Sequence, residues 1–300
     1  MLNASDYIVG ASTHVLDPSD YWHLVLKPGV KDVGEVSNPN ITAILELKPD
    51  LVIAPLRIGT KEVAKGLEEK LAPYGIAVVR IDDYTDPRHG PYNVLMLGLI
   101  FDRQEEALKY VEWVNKVLGI LNERLKGLRD EDKLTVFAMH HLHVKATDNT
   151  TLPGYGPGAQ GYTVTVLAGL RPVTHHFVST AYPRVTPKWV RDRNPDVIAI
   201  MGIESNLSLS VWIEEYEFHL ESFNGTTAVA KGRFILLPHI LDSGPGFPVA
   251  ALYIAKIAYP DRFKDVDPNQ YLCEFLQLVK LPCKGVWGYA GPNNPILGWK

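Results

Sequence analysis

Two stretches of this chain set out polar and apolar residues in nearly the same order. Residues 42–54 read TAILELKPDLVIA and residues 186–200 read TPKWVRDRNPDVIAI, their Pro-Asp pairs 146 residues apart. In each, an amphipathic segment predicts a helix, carried by Ile44, Leu45 and Leu47 in one and by Trp189 and Val190 in the other. The helix runs into Pro49 or Pro195. Proline has no N–H with which to continue a helix, and it pushes the residue before it out of the α region. An aspartate follows, Asp50 or Asp196, and then an apolar run, LVIA or VIAI, without polar alternation. Such a run predicts a parallel strand buried on both faces.

The pattern after each copy repeats as well. TKEVAKGLEEKLAPYG predicts a helix with Val63, Ala64, Leu67 and Leu71 on one side, stopped at Pro73 and Gly75, and IAVVRID then reads as a strand. After the second copy, VWIEEYEFHLESF reads as a helix and GRFILLP as a strand. A repeated strand–helix–strand order predicts two α/β lobes. Between them, Val111, Val114, Leu118, Leu121, Leu125 and Leu128 recur at spacings of 3-4-3-4-3. One helix over residues 101–128, about 42 Å long, places them on one face. With one seam and no partner segment, it reads as a strut across the lobes and not as a coiled-coil arm. The second lobe opens on the strand KLTVFAMHHLHV, in which His141 and His143 share a face. It closes with the helices VAALYIAKIAYPDRF and QYLCEFLQLV and a Gly/Pro-rich tail. The division is therefore an N-terminal lobe over 1–97, a connecting helix over 98–130 and a C-terminal lobe over 131–300.

Composition narrows the functional classes. At 46% hydrophobic and 21% charged, the 300 residues read as an ordinary globular chain. A net charge of −4 leaves no basic footprint for nucleic acid. No apolar run approaches the roughly 18 residues of a membrane-spanning helix, and MLNASDYIVGAS does not read as a signal peptide. Five Asn-x-Ser/Thr sequons, at Asn3, Asn40, Asn149, Asn206 and Asn224, exceed the about one that composition predicts, which leans towards exposure outside the cytoplasm. Cys273 and Cys283 are either a disulfide clipping the tail or two buried thiols.

Catalytic signatures are sparse. There is no G-x-S-x-G, HExxH, P-loop or CxxC. Gly156-Pro-Gly158-Ala-Gln-Gly161 spells G-x-G-x-x-G, but a dozen residues separate it from the preceding strand. No Asp or Glu lies between Gly161 and Asp192, so it reads as a glycine-rich entrance to the helical run YTVTVLAGL and no cofactor is implied. The neighbours Asp82 and Asp83 point to opposite sides of a strand and make a poor acid–base pair.

IVGAS, ILELKPDLVIA, LAPYGIAVVRID, the long helix, NPDVIAIMG, GRFILLP and GPGFPVAALYIAKIAYPDRFKDVDP fall in an order spanning nearly the whole chain. In that order the chain resembles the periplasmic binding proteins that deliver ferric siderophores, haem or cobalamin to ABC importers. The resemblance implies two Rossmann-like lobes joined by one long α-helix, with a ligand cleft between the lobes and little closure. It implies a monomer outside the cytoplasm, lipid-anchored through a segment ahead of this sequence, whose partners are an iron chelate and an ABC permease. Relatives begin with a further strand and helix, which this first lobe is expected to lack. They also present an acidic residue to the permease from each lobe. The matching position on the first lobe is Glu62, whereas on the second it is Lys188, a departure that puts the second contact in doubt.

Ligands of open α/β sheets sit beyond the carboxyl ends of the strands, and that rule selects the loops. Tyr21, Trp22, Tyr84, Tyr155 and Tyr182 can stack on a chelate or macrocycle, and Arg57 and Arg184 can neutralise an anionic one. Tyr182 also matches, by the spacing aromatic-Pro-x-Val, a cleft tryptophan of cobalamin-binding relatives. His14, His141, His143 and His239 lie in such loops too. The resemblance ranks a ferric siderophore first, with cobalamin, haem and molybdate or tungstate behind. Two other readings stand beside it: a metal-dependent enzyme using the histidines, in which His141 and His143 need a third ligand that the sequence does not identify, and a receptor that signals without carrying cargo.

Overall fold

The computed structural model describes residues 1–17, 25–56, 61–81, 86–143, 147–204, 207–242, 244–292 and 298–299. The chain divides into one unit of Met1–Glu112 with Leu278–Leu281 and another of Trp113–Gln277 with Pro282–Lys300.

In the first unit, the first copy of the repeat forms helix α1 (Ile41–Leu47) and strand β1 (Leu51–Pro55). Asn40 caps α1 by accepting a hydrogen bond from the Ala43 N–H. The helix ends at Lys48, left-handed at φ +48°, because Pro49 bars further α conformation. Helix α2 (Lys61–Leu71) returns the chain to β2 (Ala77–Ile81), which pairs in parallel with β1. Ala64, Leu67 and Leu71 on α2 pack with Ala54 and Ile44 into one small core. Burial on both faces of β1 is not observed: Ile53 is 41% exposed. Among the described residues β1 pairs only with β2, and the core that includes α2 forms on one side of it.

Helix α3 (Gly90–Ile100) follows a short turn, Pro87–His89, that Asp86 caps by accepting from the Arg88 N–H. Burial alone raises the Asp86 pKa, but side-chain and backbone hydrogen bonds from Arg88 outweigh it and hold the carboxyl below its ordinary range. A carboxyl shifted down in the folded state adds stability above its unfolded pKa of about 3.9, and that stability disappears as pH falls through the folded value. Asp86→Asn is therefore expected to flatten the acid limb of stability against pH below about 4. Urea midpoints measured between pH 2 and 6 check this, and parallel limbs in the two proteins would refute it.

The long helix, α4, covers Gln104–Leu125 and not 101–128. Asp102, left-handed at φ +53°, separates it from α3, so its length is about 33 Å. Its buried residues are Ala107, Tyr110, Trp113, Val114, Val117 and Leu121, whereas Val111, Leu118, Leu125 and Leu128 are only half-buried. The buried stripe is thus turned from the one the aliphatic residues mark. The aliphatic pattern leaves out a small residue that permits close approach (a Cβ on Gly98 would lie 2.7 Å from the Ala107 Cβ) and aromatics that bury large area, such as Trp113 stacked on Phe275.

The second unit carries a four-stranded, wholly parallel sheet. Its strands are β3 (Thr135–His140), β4 (Arg171–Pro172), β5 (Val197–Ile203) and β6 (Phe234–Pro238), in the order β6-β5-β3-β4. Helix α5 (Gln160–Leu167) lies between β3 and β4 in the chain. The second copy of the repeat supplies α6 (Pro187–Arg193) and β5. It repeats the first copy in detail, with a Thr186 N-cap accepting from the Trp189 N–H and a left-handed Asn194 before Pro195. Asp196 then ties the turn to the neighbouring strand, accepting from both the N–H and the hydroxyl of Thr135 at 2.8 Å. Unlike β1, β5 is buried along nearly its whole length. Phe137, Ile198 and Phe234 stand side by side on adjacent strands and join a core with Trp212 and Phe223.

Helix α7 (Leu209–Ser222) contributes Trp212 and Tyr216 to that core, and α8 (Phe247–Ala258) is buried almost all round. The strand read over KLTVFAMHHLHV is shorter than its apolar pattern, ending at His140. Helix α9 (Pro268–Leu278) leads to the tail. Cys273 on α9 and Cys283 are bonded, their Cα atoms 5.0 Å apart, which decides between disulfide and thiols. Beyond Cys283, Tyr289 exchanges two backbone hydrogen bonds with Leu236 and so covers the outer edge of β6.

Candidate functional site

The carboxyl end of β3 sends its side chains two ways. On one side, the His140 ring lies 6.3 Å from the rings of both Tyr155 and His239. It can lie there because β5 has a glycine opposite: a Cβ on Gly202 would sit 2.7 Å from the His140 Nε2. Gly202 is also left-handed, φ +89°, at the point where the register of β5 against β6 shifts. Tyr182, 45% exposed, lies with its ring 5.9 Å from Tyr155, and Arg184 is exposed two residues on.

Tyr155 does not offer a ring face to a ligand. It is 2% exposed, its hydroxyl donates to Asp242 Oδ2 at 2.8 Å, and a Cβ on Gly161 would come within 2.3 Å of its ring. The third glycine of the G-x-G-x-x-G string therefore makes room for Tyr155, a packing role. What Tyr155 does is support Tyr182. Asp242, fully buried, was not legible as part of this group.

On the other side, His141 and His143 meet α7. They lie in the loop after β3, not in a strand, yet both reach Glu215: His141 Nε2 is 3.0 Å from Oε2 and His143 Nδ1 is 2.8 Å from Oε1. One helical turn further, His219 is 3% exposed with its Nε2 3.6 Å from Glu215 Oε2. Burial pushes the His219 pKa down to about 4, helped by His141 and opposed by Glu215. Burial also lowers His141, against the raising effect of its hydrogen bond to Glu215. Both imidazoles are therefore neutral at pH 7. The spacing Glu215-x-x-x-His219 is an i,i+4 pair on one helical face, and this was the available signal in VWIEEYEFHLESF.

The remaining candidates are dispersed. His14 is exposed on the short helical turn Thr13–Leu16 of the first unit. Glu62 is exposed in the first turn of α2, on the wall of a shallow groove shared with Ser37, Asn38 and Lys70. Lys188 is exposed and bound to Asp192 at 2.7 Å. Tyr21, Trp22, Arg57 and Tyr84 lie outside the described residues, as do Asp82 and Asp83.

In open α/β sheets, ligands bind beyond the carboxyl ends of the strands, which is where His140, His141 and His143 lie in the second unit. In sequence, residues 1–241 match the periplasmic binding protein family, and the chain belongs to it. This is a family of binding proteins, not of enzymes, whose place of work is outside the cytoplasm. Among solved structures, the chain is similar to the TroA-like periplasmic binding protein FepB from Veillonella parvula. That likeness has a TM-score of 0.78 at 19% identity and covers 96% of this chain and 88% of that one. It is also similar to MolA of Haemophilus influenzae, solved with molybdate, with a TM-score of 0.72 at 18% identity over 95% of this chain and 89% of that one. Among curated proteins, the ferric-anguibactin-binding protein FatB of Vibrio anguillarum is 27% identical over 183 residues. That match takes in 58% of this chain and spans about half, 51%, of the relative's length.

Proposed function

We propose that this protein is the substrate-binding subunit of an ABC importer, capturing an iron chelate outside the cytoplasm and passing it to a membrane permease. The observation that carries the reading is family membership over residues 1–241, joined by the likeness to a ferric-anguibactin-binding protein. A ferric siderophore is the first candidate, with haem, cobalamin, molybdate and tungstate as the competing cargoes. Within the second unit, Tyr182 and Arg184 are the exposed groups suited to it, one as a stacking face and one as a cation for an anionic chelate. Glu62 supplies an exposed carboxylate for the permease.

Intrinsic fluorescence of the six tryptophans, titrated with each cargo class under inner-filter control, tests the reading. Saturable quenching by one class is expected, with Tyr182→Ala weakening it by about 10-fold, or about 1.4 kcal/mol. Glu62→Lys is expected to leave that binding intact and to lower uptake into vesicles holding the permease. No saturable response to any of these ligands would end the proposal. Unchanged affinity in Tyr182→Ala would remove Tyr182 from the site.

A further inference from the structure

We infer that His141, His143, Glu215 and His219 form a binding site for a divalent transition-metal ion, zinc being the best fit. The site lies wholly inside the second unit and does not depend on the nature of the transported cargo.

Three features carry it. The donor atoms of His141, His143 and Glu215 all lie within 4.8 Å of one another. A tetrahedral zinc ion with Zn–N and Zn–O bonds of about 2.0–2.1 Å holds its ligand atoms about 3.3 Å apart. The observed 3.0 and 2.8 Å from Glu215 to the two loop histidines are already close to that, so a small outward movement admits the ion. A set of imidazoles with one carboxylate is a borderline donor set, suited to zinc, nickel, cobalt or copper and unsuited to calcium or magnesium.

The second feature is His219. Its Nε2 is buried and has no hydrogen-bond partner among the described residues, although it points at Glu215 from 3.6 Å. An unpaired buried polar atom is costly, and an ion held by Glu215 would give the His219 Nε2 a partner as a further ligand. The His141 and His219 rings already stand edge to face with centroids 5.2 Å apart.

The third is access. Glu215 and His219 come from one face of a packed helix, and His141 is mostly buried, so these three are held by the fold. His143 is the exception, its side chain 69% exposed and its ring stacked on Phe218. It gives the site an opening to solvent and a ligand that closes over the ion. Binding would fasten the loop after β3 to α7.

The test uses the whole protein, stripped with EDTA, dialysed and confirmed folded by circular dichroism. Zinc is titrated by calorimetry, and cobalt is followed by its visible absorption, which is intense for tetrahedral coordination and weak for octahedral. One zinc per chain and an intense cobalt spectrum are expected. Glu215→Gln and His219→Gln are each expected to weaken zinc by at least about 100-fold, as loss of a direct ligand exceeds the 10–100-fold of an outer partner. His143→Ala, at an exposed position where folding is not at stake, should weaken zinc by at least about 10-fold and abolish the tetrahedral spectrum. The double variant His175→Ala/His176→Ala removes two exposed loop histidines outside the cluster and should bind as the parent does. Absence of stoichiometric zinc binding by the folded parent overturns the inference. So does binding that survives His143→Ala unchanged or that is lost in the His175/His176 variant.

Discussion

Trp212→Ala is expected to lower the unfolding free energy of the second unit by about 3–5 kcal/mol, the range for removing a large aromatic side chain from a packed core. Trp212 has no exposure and packs among Phe137, Phe223 and Phe234, beneath the parallel sheet. Neither the helix nor the strands can collapse into the space without disturbing the register that pairs Phe137, Ile198 and Phe234. A companion variant separates volume from polarity. The Trp212 indole N–H is buried without a hydrogen-bond partner among the described residues. Trp212→Phe gives up part of the packing but also removes that unpaired donor, whose burial costs about 1–3 kcal/mol. It is therefore expected to lie within about 1.5 kcal/mol of the parent. Urea unfolding followed by far-ultraviolet circular dichroism reads both, and a Trp212→Phe loss equal to that of Trp212→Ala would contradict this account.

Reducing the Cys273–Cys283 bond, or replacing both cysteines by serine, is expected to cost between about 2 and 3 kcal/mol. The bond closes a short loop of sequence separation 10, so the entropy it removes from the unfolded chain is at the lower end for disulfides. It joins the middle of α9 to the segment whose Tyr289 pairs with Leu236 on the edge of the sheet. Loosening should therefore begin in the tail and expose β6. Thermal melts with and without reductant measure the loss, and hydrogen exchange at Leu236 and Tyr289 locates it. An unchanged melting temperature together with unchanged protection would show that the tail is held without the bond. A disulfide also accords with a protein working outside the cytoplasm.

The repeated sentence of the sequence was legible because it rests on local chemistry. Proline ends a helix beyond its first turn, a left-handed residue before it is the economical way to stop, and a polar residue eight positions before that left-handed residue caps the start. Both copies therefore fold alike, down to Lys48 and Asn194. The α4 stripe was legible only in part. Periodicity shows that a face exists, but small and aromatic residues decide which face is buried, and these do not stand out as a run of aliphatics. The strand stops at His140, although the apolar alternation of the sequence runs on through Leu142, because His141, Leu142 and His143 belong to a loop.

The candidate site divides in the same way. His141 and His143 were visible as a pair, and so was Tyr182. Their partners were not: Glu215 and His219 lie more than seventy residues further along, and Asp242 further still. Tyr155 looked like a stacking surface because a tyrosine among glycines in a loop is usually open. Gly161 instead draws it under cover and onto Asp242.

By itself, then, the sequence determined the α/β class, the two repeated segments and the family, since caps, breakers and apolar periods act over a few residues. Only the tertiary structure decided which side chains meet. Parallel pairing of β3 beside β5 brings the loop after β3 against α7, and no local rule states which faces of distant elements will share a core.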